Sequence, residues 1–223
     1  MPSFLPLVGR AHWTKRALLA SIGLSLVALV ADFQQWTLTK RVATGEATLG
    51  ELRTNDSLQA FISLAQLAAL IAAGILFLCW FHRAYANLKA LGAEDLPHGP
   101  GWAVGYWFVP IVNLVRPATV ACDIWNASDP TADAGSWRRR KQPSLIIGWW
   151  LTFLLSGLVG RVGTSLWNGA SDPDRLRQAA VVLLVADVLT IAAGVLAVVF
   201  VGETTTRQEA RASRQQPPTT ATA

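Results

Sequence analysis

Three charged residues lie inside long apolar runs of this chain: Asp32, Arg161 and Asp187. An ionised side chain in hydrocarbon costs several kcal/mol, so such residues pair, snorkel to the membrane edge, or relay protons and ions. That cost predicts an ion pair of Arg161 with Asp187 or Asp32. The functional version of the same arrangement is a relay built on Asp187 and Arg161. A second set lies in the polar and aromatic stretch from Trp80 to Pro130, which holds Arg83, Tyr85, Asn87, Asn113, Arg116 and Asp123. Arg83 and Arg116 are suited to hold the phosphate of a lipid headgroup. Asn113 is suited to satisfy backbone groups freed by Pro110. Arg83, Tyr85, Asn87, Asn113 and Arg116 are therefore the candidates for binding a lipid or another ligand.

Other chemistries lack their residues. His82 and His98 have no HExxH spacing, and the two cysteines, Cys79 and Cys122, form no CxxC pair, so no metal or cofactor is expected. Ser156 has no histidine in another apolar run to act as its base. With no catalytic constellation to assemble, the sequence points away from an enzyme. The net charge of +5 is carried largely by cations at the ends of apolar runs, as membrane topology requires, and does not call for nucleic acid.

About half of the residues are apolar and only 15% are charged, which suits a bilayer better than water. The apolar runs predict an all-α integral membrane protein with spans over 18–36, 58–81, 144–167 and 178–201, each long enough for a core about 30 Å thick. Tryptophans 13, 36, 80, 149, 150 and 167 fall near the span ends. The segment 101–125 has only a short apolar run, broken by Pro110, which predicts a re-entrant or interfacial hairpin. Before it, residues 82–91 continue the second helix to Gly92. Pro117 opens a short helix that carries Val120, Ala121, Ile124 and Trp125 on one side. Residues 1–17 form an N-terminal segment, and 202–223 read as a disordered tail, polar, rich in Thr, Gln and Ala, and carrying Pro217-Pro218.

The words RAYANLKALGA, PGWAVGYWFVP, NLVRP and IWNASDP, followed by an apolar segment with Trp149-Trp150, occur in this order. They resemble the bacterial membrane proteins of domain of unknown function 4328, over roughly residues 58–201. The resemblance implies an integral membrane protein of bacteria and brings no activity or catalytic residues. The zinc-ribbon segment that some members carry near the N-terminus has no cysteine pairs here.

If 101–125 does not cross, one side of the membrane carries thirteen cations against five on the other. If it crosses, the better orientation leaves ten against seven. Four spans with both termini in the cytoplasm are therefore expected, in the cytoplasmic membrane. Two functions fit. The first is a non-enzymatic scaffold or regulatory protein that binds lipid headgroups or a cytoplasmic partner through residues 82–130. The second is a small proton- or ion-coupled transporter or channel using Asp187 and Arg161. Membrane lipids are the expected partners, and small-residue faces allow a homo-oligomer.

Overall fold

The structure, a computed structural model, describes residues 3–131 and 135–215. Among these residues all regular structure is helical: α1 (Val8–Ala43), α2 (Leu49–Ala90), α3 (Pro100–Gly105), α4 (Arg116–Ala127), α5 (Ser144–Asn168) and α6 (Pro173–Gln215). Two short 3-10 turns occur at Val112–Leu114 and Ser136–Arg139. Four helices, α1, α2, α5 and α6, are long and apolar enough to cross a membrane, as predicted. They run to 36, 42, 25 and 43 residues, so α1, α2 and α6 extend well past the predicted spans.

Local sequence sets the helix ends. Thr48 and Glu51 form a reciprocal capping box at the start of α2: the Glu51 N–H donates to Thr48 Oγ1, and the Thr48 N–H donates to Glu51 Oε2 at 2.8 Å. Asp172 caps α6 by accepting the Arg175 N–H, with Pro173 as the first helical residue. Gly92 ends α2 as expected. Its φ of 78° lets the Ala93 N–H reach Leu88 O and its own N–H reach Lys89 O, closing a Schellman motif.

The chain divides into two compact units. One comprises Ala17–Ala73 and Gly148–Ala197. Many of its large apolar side chains are exposed, among them Leu26, Phe33, Phe61, Leu67, Leu158 and Val188. Polar groups line a cavity inside. Helices touch through small residues: an added Cβ at Gly194 would lie 2.7 Å from Ile22, and one at Gly163 would lie 2.8 Å from Leu183. Such close approach is how helices associate where lipid surrounds them.

The other unit comprises Met1–Arg16, Gly74–Ile147 and Val198–Ala223. It has a core like that of a soluble domain, with Trp80, Phe81, Tyr85, Leu88, Ile124 and Phe200 fully buried. Trp80 is a core residue, and its Nε1–H donates to Thr205 Oγ1. The predicted short helix is α4, with Val120, Ala121 and Ile124 buried.

The expectation of disorder from 202 onward is corrected over 202–215, where α6 continues. Thr204, Thr205, Gln208 and Arg211 are buried there despite their polarity. Each sits three or four residues from another, so they form one face of a helix. Gln208 donates to Ala84 O and Ser128 Oγ, Arg211 donates to Ala127 O and Asp129 O, and Glu209 accepts the Leu7 N–H. Glu209 and Arg211 thereby serve backbone groups at the start of α1 and the end of α4. Residues 216–223 of the expected tail lie outside the described residues.

Between α3 and α4 the chain breaks at Pro110, and neither helix is long enough to span: α3 has 6 residues and α4 has 12. Ile111 has φ 66° and ψ −48°, and the Val112 N–H donates to Pro110 O at 2.7 Å. This is a γ-turn of the strained hand, unusual for a β-branched residue.

Candidate functional site

In the unit formed by Ala17–Ala73 and Gly148–Ala197, each long helix turns one stripe toward a cavity of about 370 Å³. From α1 come Ala28, Asp32 and Gln35, and from α2 come Gln59, Ser63 and Gln66. Ser156, Gly160, Thr164 and Trp167 line it from α5, and Leu183, Ala186, Asp187 and Thr190 from α6. Spacings of three and four residues place each set on one helix face. The arrangement is a bundle with apolar residues outside and polar residues inside, the reverse of a water-soluble one.

Asp32 and Asp187 both line this cavity, close enough for their carboxyls to interact. Gln59 Nε2 donates to Asp32 Oδ1 at 3.0 Å, and the Gln66 side chain approaches Asp187. Asp187 Oδ2 is buried, and no donor among the described residues hydrogen-bonds to it. Ionised carboxylates accept hydrogen bonds and donate none. Two of them facing one another in a medium of low dielectric hold a proton or a cation between them.

The predicted pairing of Arg161 with Asp187 or Asp32 is not formed. Arg161 is exposed, and among the described residues it makes no ion pair. The reason is angular. Gly160 and Thr164 are four apart and line the cavity, whereas Arg161 follows Gly160 by about 100° of helix rotation and leaves that face. Asp187 finds a second carboxyl, not a cation.

The ligand candidates lie in the other unit, and most are occupied structurally. Asn87 is buried; its Oδ1 accepts the Leu5 N–H, and its Nδ2 donates to Leu5 O and Gln208 Oε1. Tyr85 is buried and its hydroxyl donates to His98 O. Asn113 does not satisfy the freed backbone as predicted: turns within 109–115 do so, including its own N–H to Val109 O. Arg83 is half-buried and makes no ion pair among the described residues, and Arg116 is exposed, its guanidinium 5.7 Å from the Tyr106 ring centroid. Tyr106 in turn reaches His98 Nδ1 at 3.2 Å. Burial, then Arg116, holds the His98 imidazole below its ordinary value. Asp123 is half-buried, and burial pushes its carboxyl up to about 6 against the opposing pull of Arg138 and Arg116.

The carboxamides Gln35, Gln59 and Gln66 were not singled out by the sequence reading. Their signal was present as polar residues three, four or seven apart along apolar runs, in register with an intramembrane aspartate or with one another.

The family described as Domain of unknown function (DUF4328) matches residues 43–206. No curated protein and no solved structure matches the chain.

Proposed function

The chain belongs to the DUF4328 family, and we propose that it is a small multi-pass transporter or channel that moves protons or other cations through the cavity lined by Asp32 and Asp187. The observation that carries this reading is the meeting of two carboxyls inside a bundle whose outward residues are apolar. A structural role alone would be served at lower cost by apolar residues, since each carboxyl must be desolvated and repels the other when both are ionised. The test is proton flux into liposomes holding the purified protein under an imposed pH gradient. Asp187→Asn abolishes the flux, and Arg161→Gln retains it. Equal flux through the Asp187→Asn protein, or none through the unaltered protein under any gradient, would overturn the reading.

The site of action is the cytoplasmic membrane of a bacterium, with both termini in the cytoplasm. The thirteen-to-five cation asymmetry supports this. So does the Glu209–Leu7 hydrogen bond, which brings the start of α1 and the end of α6 together, as an even number of crossings requires. A single cysteine introduced by Ser136→Cys, with Cys79 and Cys122 replaced by Ala, labels only after the membrane is permeabilised.

A second reading is favoured by the segment 101–115. Phe108 is 71% exposed and Ile111 82% exposed, with Trp102, Leu114 and Val115 also exposed and Arg116 following directly. An interfacial hairpin that buries these side chains among lipid headgroups, with Arg116 and Arg83 on phosphate, would make the unit a lipid- or partner-binding platform. A homo-oligomer or a cytoplasmic protein are the other partners it would serve. Replacing Arg83, Asn113 and Arg116 together then reduces co-purified lipid and partner; unchanged yields of both would rule the platform out.

A further inference from the structure

We propose that the cavity takes a small organic ammonium ion, bearing N–H donors and an apolar body, in exchange for the proton held between Asp32 and Asp187. This rests on the reading of that cavity as a transport site and names its substrate class.

Charge selects a cation. Asp32 on α1 and Asp187 on α6 are the only charged residues in the lining; α2 contributes amides, α5 hydroxyls, and Arg161 of α5 is exposed outside it. An anion would find no counter-charge.

Hydrogen-bond capacity selects N–H donors. Gln35 is only 8% exposed and lines the cavity, and its amide has no hydrogen-bond partner among the described residues. Asp187 Oδ2 also lacks a donor. Ser156 and Thr190 spend their hydroxyl protons on their own helix, donating to Phe153 O and Ala186 O, so their oxygens offer the cavity lone pairs. Asp187 Oδ2 and the Ser156 and Thr190 oxygens are therefore acceptors in the wall that an N–H donor can satisfy. A quaternary ammonium could satisfy the charge but not the acceptors.

Size and shape favour an organic cation over a bare divalent ion. A dehydrated calcium or magnesium ion needs oxygen ligands packed at about 2.0–2.6 Å, and no group of three or more His, Cys, Asp or Glu able to hold a metal occurs among the described residues. The cavity of about 370 Å³ has room for about a dozen waters at about 30 Å³ each, which is the lower end of small-molecule pockets. Ala28, Leu183 and Ala186 give an alkyl body an apolar wall, and the Trp167 ring can face the cation.

The exchange balances. With one proton between two carboxyls the pair carries one negative charge; an alkylammonium that displaces that proton leaves two carboxylates and one cation, again one negative charge. One proton leaves for each amine bound, and no bond other than that O–H breaks.

The experiment uses the full chain in detergent and in liposomes, with n-butylammonium as the probe and tetramethylammonium and sodium as comparators. Butylammonium is expected to bind with release of about one proton per chain into weakly buffered solution, and to drive proton counterflow in liposomes. Tetramethylammonium should bind at least tenfold more weakly because the acceptors stay unpaired, and sodium because it leaves the apolar wall of Ala28, Leu183 and Ala186 without a partner. Gln35→Leu should weaken butylammonium about tenfold, and Asp187→Asn should abolish both binding and proton release. A rise in the unfolding temperature of the unaltered protein on adding butylammonium gives a binding readout that needs no variant. Proton flux dependent on Asp187 with no response to butylammonium would overturn the substrate assignment and leave the transport reading standing. Neither flux nor binding would remove both. Equal binding of tetramethylammonium would refute the acceptor argument.

Discussion

Replacing Gln208 with Leu tests whether the end of α6 is an integral part of the fold. The residue is fully buried, and its side chain takes part in three hydrogen bonds: Nε2 to Ala84 O at 2.8 Å, Nε2 to Ser128 Oγ at 2.9 Å, and Asn87 Nδ2 to Oε1 at 3.2 Å. Leu has nearly the same volume, so little cavity is created. At about 1 kcal/mol net per bond the loss is about 3 kcal/mol. Asn87 Nδ2 keeps Leu5 O, and Ser128 Oγ still donates to Ile124 O, so neither partner is wholly orphaned. For a chain of this length, about 3 kcal/mol lowers Tm by about 6–12 °C. Tryptophan fluorescence in detergent reads the transition directly, because Trp80 packs on Phe200 and is hydrogen-bonded to Thr205 of the same helix. Trypsin gives a local readout at Arg207, Arg211 and Arg214, whose cleavage should accelerate. Thr206→Ala, at an exposed position next to buried Thr205, should change neither. A Tm shift below about 1 °C with an unchanged cleavage pattern would refute the docking of 204–215.

Two further outcomes follow from local geometry. Gly163→Ala should lower Tm where Gly74→Ala does not, because a Cβ at 163 meets Leu183 side-chain atoms at 2.8 and 3.0 Å and its backbone N at 3.3 Å, while nothing lies within 4 Å at 74; overpacking of this kind costs about 1–3 kcal/mol, and equal Tm values would contradict the close approach. Asp123, pushed up to about 6 by burial, takes up a proton on folding relative to an unfolded carboxyl near 3.9, so its contribution to stability is best below about pH 4 and declines as pH rises to about 6. Two units correspond to about 3 kcal/mol at most, and partial exposure reduces this to about 1 kcal/mol. Asp123→Asn should therefore stabilise the protein at pH 7 and not at pH 4, as read by urea unfolding; the same offset at both would remove the assignment.

Sequence alone determined the class of the fold. Four apolar runs of spanning length, cations at their ends, Gly92 at a helix stop and Pro117 at a helix start are local or compositional signals, and the backbone obeys them because each helix satisfies its own hydrogen bonds. The two intramembrane aspartates were legible for the same reason, since a charge in an apolar run stands out whatever its neighbours. Their partner was not. Whether Asp187 meets Arg161 or Asp32 depends on how each helix is rotated about its axis, and a step of about 100° per residue separates Arg161 from the face its neighbour Gly160 presents. The end of α6 carries the same lesson. Thr205, Gln208 and Arg211 read as a solvated tail because their polarity is a property of the residues. Their burial is decided by the carbonyls of Ala84, Ala127 and Asp129, distant in sequence and brought within reach by tertiary packing.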